Sequence, residues 1–308
     1  MEIALQFVLL ALGFVMLGKG ADWFVEGAAG IAMRFGIPQL VIGLTIVAMG
    51  TSAPEAAVSI AAAVKGNADI TIGNIVGSNI LNILVILGLA ASIVPIAVAR
   101  STVRIEMPFM IAITALLFYQ GRDGSISLAD GGVLMVAFAA YMMYLYTMAM
   151  KSNVDSDLEE PGLPLGRCLL GAVGGLALII AGSNVTVGAA TSIATYAGLS
   201  ERFIGLTIVA LGTSLPELFT SVAAARRGNA DIAIGNIVGS NIFNILFVVG
   251  LSSLIIDIPF ASAFNFDTYV ALGAAVLLWL CVLRTQRLQR WAGALMLVCY
   301  AAYLGYIL

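Results

Sequence analysis

Residues 43–89 recur without a gap at 205–251, every position displaced by 162, and 34 of the 47 positions are identical. Apolar packing constrains size and hydrophobicity only loosely, so packing alone would not preserve the Thr, Ser, Pro, Glu and Asn identities that both copies hold. One structural unit has therefore been duplicated, and the fold must place it twice.

The surroundings of the repeat set the solvent. With 61% apolar and 10% charged residues the chain cannot present a water-soluble surface, so it is an integral membrane protein. Turn residues and charges delimit ten expected spans: 3–30, 38–64, 70–94, 103–120, 128–150, 166–195, 203–225, 232–256, 268–283 and 291–308. These are continuous Ala, Leu, Ile, Val and Gly runs rather than the alternating ten-residue segments of a β-barrel, so the spans are helices. The first begins with Glu2 rather than a basic segment and is too long for a cleaved leader; it is expected to remain as a helix.

The first copy of the repeat occupies spans 2 and 3, the second spans 7 and 8. An odd displacement of five spans makes the copies enter the membrane from opposite sides, related by a pseudo-two-fold axis in the membrane plane. The expected fold is an all-α membrane protein of ten transmembrane helices in two inverted five-helix repeats. Residues 1–150 form the first repeat and 166–308 the second, joined by an acidic linker, 151–165, that holds Asp155, Asp157, Glu159 and Glu160. The spacing of those acids fits no EF-hand, so the linker reads as a solvated connector.

Short-loop Lys and Arg favour the cytoplasmic side of a membrane. Arg34, Arg100, Arg104, Lys151, Arg167, Arg226, Arg227, Arg284, Arg287 and Arg290 fall on one side of the ten-span layout, and Lys65, Arg122 and Arg202 on the other. The linker is thus expected in the cytoplasm and both termini outside it, in a prokaryotic inner (plasma) membrane. There is no histidine, which removes imidazole metal sites and Ser-His or Cys-His nucleophiles. Cys168, Cys281 and Cys299 lie within or beside apolar spans without paired spacing and read as small core residues.

Two motifs interrupt the apolar spans of each copy. The first, A-x-G-T-S-x-P-E, supplies Ala48, Thr51, Ser52, Pro54 and Glu55, then Ala210, Thr213, Ser214, Pro216 and Glu217. Mid-helix prolines free the carbonyls of Gly50 and Gly212, and a broken helix is tolerated in a bilayer where it lines a cavity or holds an ion. An ionised glutamate at membrane depth is costly unless paired or coordinated, which makes Glu55 and Glu217 functional candidates. Lys19 is the only basic residue away from the ends of the apolar spans and cannot easily serve two symmetric sites. The second motif, G-N-I-V-G-S-N-I-x-N, places Ser78 with Asn82, and Ser240 with Asn244, one turn apart on a helix face. Asn74, Asn79, Asn236 and Asn241 serve either the same cavity or hydrogen bonds between helices.

All these candidate ligands are oxygens, which suits a hard cation, and calcium's tolerance of six to eight ligands fits better than magnesium's octahedron. Two carboxylates neutralise one divalent ion. Several sodium ions beside it would leave the pocket strongly positive in a low dielectric, so the two cations exclude one another. Proton/calcium exchange on the same scaffold is the nearest rival; a passive channel or a serine hydrolase fits the duplicated, histidine-free site less well. The expected substrates are Ca2+ and Na+, with no cofactor and no nucleic-acid partner, in a bilayer-embedded chain that functions as a monomer.

The GTSAPE, GTSLPE and paired GNIVGSNIxN segments resemble the alpha repeats of the cation/calcium exchanger superfamily, specifically its prokaryotic sodium/calcium exchangers. The resemblance implies a calcium site of Glu55 and Glu217 with the carbonyls of Thr51 and Thr213. It implies sodium sites using Ala48, Thr51, Ser52, Ser78, Ala210, Thr213, Ser214 and Ser240, with Asn82 and Asn244 lining the centre. Some relatives, potassium-dependent exchangers among them, carry aspartate at the position of Asn244; its absence here argues against potassium co-transport. Spans 1 and 6 would be the long helices that slide over the core, and their glycines suit either sliding or close packing. Lys19, Asp22 and Glu26, at roughly helical spacing on span 1, read as a mutually paired cluster.

Overall fold

A computed structural model of the chain describes residues 2–66, 68–152, 163–198 and 210–307. In chain order the helices are α1 (Ile3–Arg34), α2 (Gln39–Thr51), α3 (Ala53–Val64), α4 (Ile70–Ile93), α5 (Thr102–Asp123), α6 (Leu128–Lys151) and α7 (Leu165–Tyr196). There follow α8 (Ala210–Thr213), α9 (Leu215–Arg226), α10 (Ala230–Ile255), α11 (Ala263–Val282) and α12 (Arg290–Ile307). Among the described residues eight of these are long and apolar enough to cross a membrane, and α2 with α3 makes a ninth span bent by 51°. The protein is thus a helical membrane protein, with eight to nine apolar spans among the described residues. Of the expected span 203–225, residues 203–209 lie outside the described residues and α8 with α9 is what remains; the linker acids Asp155, Asp157, Glu159 and Glu160 lie outside them too.

The bend between α2 and α3 follows from the sequence. Pro54 and Pro216 stand in the first turns of α3 and α9, where the missing N–H costs least, and the chain leaves helical geometry just before them. Ser52 (φ −82, ψ 7) and Ser214 (φ −91, ψ 5) are the hinge residues. A second irregularity was not legible in the sequence. Among the described residues four π-helical turns occur, at Gly43–Val47, Asn82–Leu87, Thr102–Glu106 and Asn244–Val249, and such turns are frequent at functional sites.

The centre of the molecule is α4 and α10; in α10 every residue from Ile232 to Phe243 is buried. Side chains such as Tyr119, Val136, Leu280 and Val298, on the outer helices, stay exposed, as a lipid-facing surface requires. α10 reaches the first motif by backbone contact. A Cβ at Gly235 would stand 3.0 Å from the Gly43 backbone, and one at Gly239 would stand 2.8 Å from Leu44 and from the Ala48 methyl.

α1 and α7 lie antiparallel and pack more extensively on each other than on anything else. Their crossing is built on glycines: a Cβ at Gly20 would meet the Gly175 carbonyl at 2.9 Å, and one at Gly182 the Met16 Cβ at 2.9 Å. The same proximity holds where Gly27 faces Cys168 and Ala172. These glycines therefore serve close packing between the two long helices, whereas Gly18, Gly174 and Gly188 face open space.

Two short antiparallel ribbons tie helix ends together. β1 (Ile96–Ala97) pairs with β4 (Arg287–Leu288), and β2 (Ser125–Ile126) with β3 (Ile258–Pro259). Ile96 faces Leu288 and Ile126 faces Ile258, so the displacement of 162 exchanges one ribbon for the other. β1 precedes α5 and β2 follows it, which puts the ribbons at opposite ends of that helix.

Candidate cation site

Glu55 and Glu217 are the third residues of α3 and α9, and they are 1% and 0% exposed. Each sits at the positive end of its half-helix, where an anion is favoured. The serine hinges cross over between the repeats. The Ser52 hydroxyl donates to Glu217 Oε1 at 2.8 Å, and the Ser214 hydroxyl donates to Glu55 Oε1 at 3.4 Å. The two carboxyls are near enough to interact electrostatically. Neither has a basic partner: among the described residues the ion pairs are Arg227 with Asp22 and with Glu26. That also corrects the expected cluster on α1, since Asp22 and Glu26 turn to Arg227 from the other half of the chain rather than to Lys19.

The second motif forms a crossed amide network. Asn82 Nδ2 donates to Asn241 Oδ1 at 2.9 Å, and Asn244 Nδ2 donates to Asn79 Oδ1 at 3.1 Å. Asn79 and Asn241 each donate to the other's carbonyl, at 3.3 and 3.2 Å. Asn74 donates to Ser59 Oγ and the Glu55 carbonyl, and Asn236 to Ser221 Oγ and the Glu217 carbonyl. These four asparagines hold helix to helix and fix the backbone that carries each glutamate. Ser59 and Ser221, which the sequence reading passed over, are the partners of Asn74 and Asn236.

With the amide nitrogens so engaged, the remaining oxygens have nothing to bind. Glu55 Oε2, Glu217 Oε2, Asn82 Oδ1 and Asn244 Oδ1 are all buried and lack a hydrogen-bond partner. Buried oxygens are seldom left unsatisfied, and these four form two pairs related by the repeat. Beside them the Ala48 carbonyl accepts from Ser240 Oγ at 3.3 Å, and the Thr51 hydroxyl lies 2.9 Å from Asn236 Oδ1. Ser78 is buried one turn before Asn82. Thr213 lies alongside Glu55; the side chain of Ala210 is outside the described residues.

Two crevices approach this centre from either side of the α1–α7 pair. One, of about 720 Å³, is lined by Pro54, Val58, Ser183, Asn184, Gly212 and Thr213, and so reaches the residue beside Glu55. The other, of about 540 Å³, is lined by Gly18, Lys19, Asp22, Phe219, Arg226 and Arg227. It ends at Ala21 and Asp22, without Gly50 or Thr51 among its walls. One further contact has no counterpart in the other repeat. The Gly212 carbonyl, which Pro216 cannot bond, accepts from Ser183 Oγ at 2.7 Å, whereas the corresponding position on α1 is Ala21.

Comparison with known proteins decides what this architecture belongs to. The profile of the family described as sodium/calcium exchanger protein matches residues 5–147 and 168–308. The chain belongs to the sodium/calcium exchanger family. It is a transporter and not an enzyme, and it exchanges Na+ for Ca2+ across a membrane. Relatives include CaxA of Alkalimonas amylolytica, named as a candidate antiporter, 40% identical over 98% of both chains. The sodium/calcium exchanger MaX1 of Methanosarcina acetivorans is 33% identical, again over 98% of both. Among solved structures, the sodium-calcium exchanger NCX_Mj soaked with 2.5 mM Na+ and 10 mM Sr2+ superposes with a TM-score of 0.86. It is 34% identical, with 98% of this chain and 99% of that one covered.

Proposed function

We propose that the exchange runs through the pocket between the two hinges, with Ca2+ and Na+ occupying it in turn. Glu55 and Glu217 hold Ca2+ together with the Thr51 and Thr213 carbonyls. Ser52, Ser214, Ser78, Ser240 and the Ala48 and Ala210 segments supply oxygens for Na+, and Asn82 and Asn244 line the centre. The observation that carries this reading is the set of four buried, unpartnered oxygens on Glu55, Glu217, Asn82 and Asn244. A hard cation satisfies them all at once. The two carboxylates match one divalent charge, and Na+ added beside Ca2+ would be repelled, so binding of one ion expels the other.

The finer architecture of this reading is ten spans in two inverted repeats, 1–150 and 166–308, joined by the linker 151–165. The ribbons support it. An operation that swaps β1–β4 for β2–β3 exchanges the two ends of α5, which requires an axis lying across the helix, in the membrane plane. The positive-inside bias puts both termini outside the cytoplasm of a prokaryotic inner membrane, and one monomer contains a whole site. In that orientation the crevice reaching Thr213 opens outward, and the opposed one is closed.

The test is uptake of radiolabelled calcium into proteoliposomes under an imposed sodium, proton or potassium gradient. Uptake should follow sodium, and Glu55→Gln and Glu217→Gln should abolish it. Uptake that followed only the proton gradient would make this a proton/calcium exchanger, and unchanged rates in both variants would sink the site.

A further inference from the structure

A second carboxylate lies buried outside the pocket. Glu106, on α5, is 0% exposed and belongs to no ion pair among the described residues; Arg104, two residues before it, points out to the exposed surface. Its Oε1 accepts a hydrogen bond from the Tyr144 hydroxyl of α6. Its Oε2 has no partner, and neither does the Tyr141 hydroxyl or the Thr102 hydroxyl, all three atoms being buried. Thr102 opens the helical turn that ends at Glu106, and the Tyr141 ring lies 6.4 Å from the ring of Tyr144, which bonds Glu106.

The backbone repeats the theme of the transport pocket. Thr102–Glu106 is a π turn, and two of the other three π turns begin at Asn82 and Asn244. α11 seals the far side, Trp279 Nε1 donating to the Val103 carbonyl at 2.8 Å. At the same displacement of 162 the second half keeps both tyrosines, as Tyr303 and Tyr306, but carries Thr268 in place of Glu106; there Tyr303 bonds the half-buried Asp267, so the fully buried carboxylate belongs to one repeat only. It is not a copy of the duplicated site.

We infer that Glu106, Thr102, Tyr141 and Tyr144 form a binding site for one monovalent cation of the sodium class, separate from the transport pocket. One carboxylate balances a single positive charge, and an isolated anion at this depth requires one. A proton on Oε2 would satisfy that oxygen and one acceptor, leaving a third buried hydroxyl oxygen bare. A small hard cation reaches all three, with Oε1 and the Tyr144 oxygen completing an oxygen shell.

Melting temperature of the purified full-length protein tests this in a Glu55→Gln, Glu217→Gln background, with NaCl exchanged for choline chloride at constant ionic strength and at two pH values. We expect a Na+-dependent rise that persists in this background, is lost when Glu106→Gln is added, and is reduced by Tyr144→Phe or Thr102→Val. Absence of the rise in the background, its survival in every cluster variant, or a rise that follows pH and ignores Na+ would overturn the inference. Should Glu106→Gln not fold, the tyrosine and threonine variants decide. Failure of the transport reading is seen separately, as calcium uptake that survives in the background itself.

Discussion

Ser52 in one repeat hydrogen-bonds Glu217 in the other, at 2.8 Å, while the mirrored bond from Ser214 to Glu55 is 3.4 Å long. Each carboxylate is thus oriented by the opposite repeat, and the two halves of the pocket are unequally tightened.

Loss of the Ser52 hydroxyl should therefore matter more than loss of Ser214. A partner that orients a metal ligand is commonly worth about 10–100-fold in affinity. We expect Ser52→Ala to weaken calcium binding toward the upper part of that range and Ser214→Ala toward the lower. Isothermal titration of the two purified variants checks the order, and equal losses would refute it.

Neutralising a glutamate should separate stability from function. Without ions, Glu55 and Glu217 are two buried carboxyls with no cation partner, so Glu217→Gln relieves a cost. A buried carboxylate without a cation partner carries a desolvation cost that the neutral amide largely avoids. The variant should melt at or above the temperature of the unmodified protein in ion-free detergent, while its stabilisation by added calcium disappears. A scan with and without calcium reads both; a variant that melted lower yet kept its calcium response would contradict the assignment.

Ser183 should bias the balance between crevices. Its hydroxyl satisfies the Gly212 carbonyl in the state seen here, and Ala21 offers nothing equivalent on the opposite side. Ser183→Ala removes about 1 kcal/mol from this state, roughly a fivefold shift in population. A thiol placed by Val58→Cys, in a background without Cys168, Cys281 and Cys299, should then react more slowly with an impermeant reagent. An unchanged rate would rule the bias out.

Gly175→Ala tests the crossing of α1 and α7. The added Cβ would stand 2.5 Å from the Phe24 nitrogen and 2.7 Å from the Gly20 carbonyl, both backbone atoms that cannot rotate away. We expect a loss of about 1–3 kcal/mol, the usual cost of overpacking, read as a lower melting temperature, whereas Gly174→Ala, in open space, should be silent.

Much of the candidate site was legible because duplication marks polar residues that packing would not preserve: it singled out Glu55, Ser52, Asn82 and their copies, and Ser52 bonds Glu217 and Asn82 bonds Asn241 across the repeats. What Asn74 and Asn79 bind was not legible, since an amide serves a ligand or a neighbouring helix with the same atoms. Asp22 and Glu26 misled for a related reason. Helical spacing pointed to Lys19, yet Arg227 arrives from a loop 201 residues away from Glu26. Glu106 carried no signal at all, because it has no counterpart in the second repeat, and the π turns at Asn82 and Asn244 leave no trace in local composition.

The glycine crossing of α1 with α7 bears on leakage. Helices whose backbones come this close at Gly20 and Gly175 could not shift separately without colliding, so a displacement of one would carry the other with it. One crevice is lined by Gly18, Lys19 and Asp22 of α1, and the other by Ser183, Asn184 and Gly188 of α7. If the pair rocks as one bar, opening one crevice would close the other, and a cation could not run through the molecule without its counter-ion.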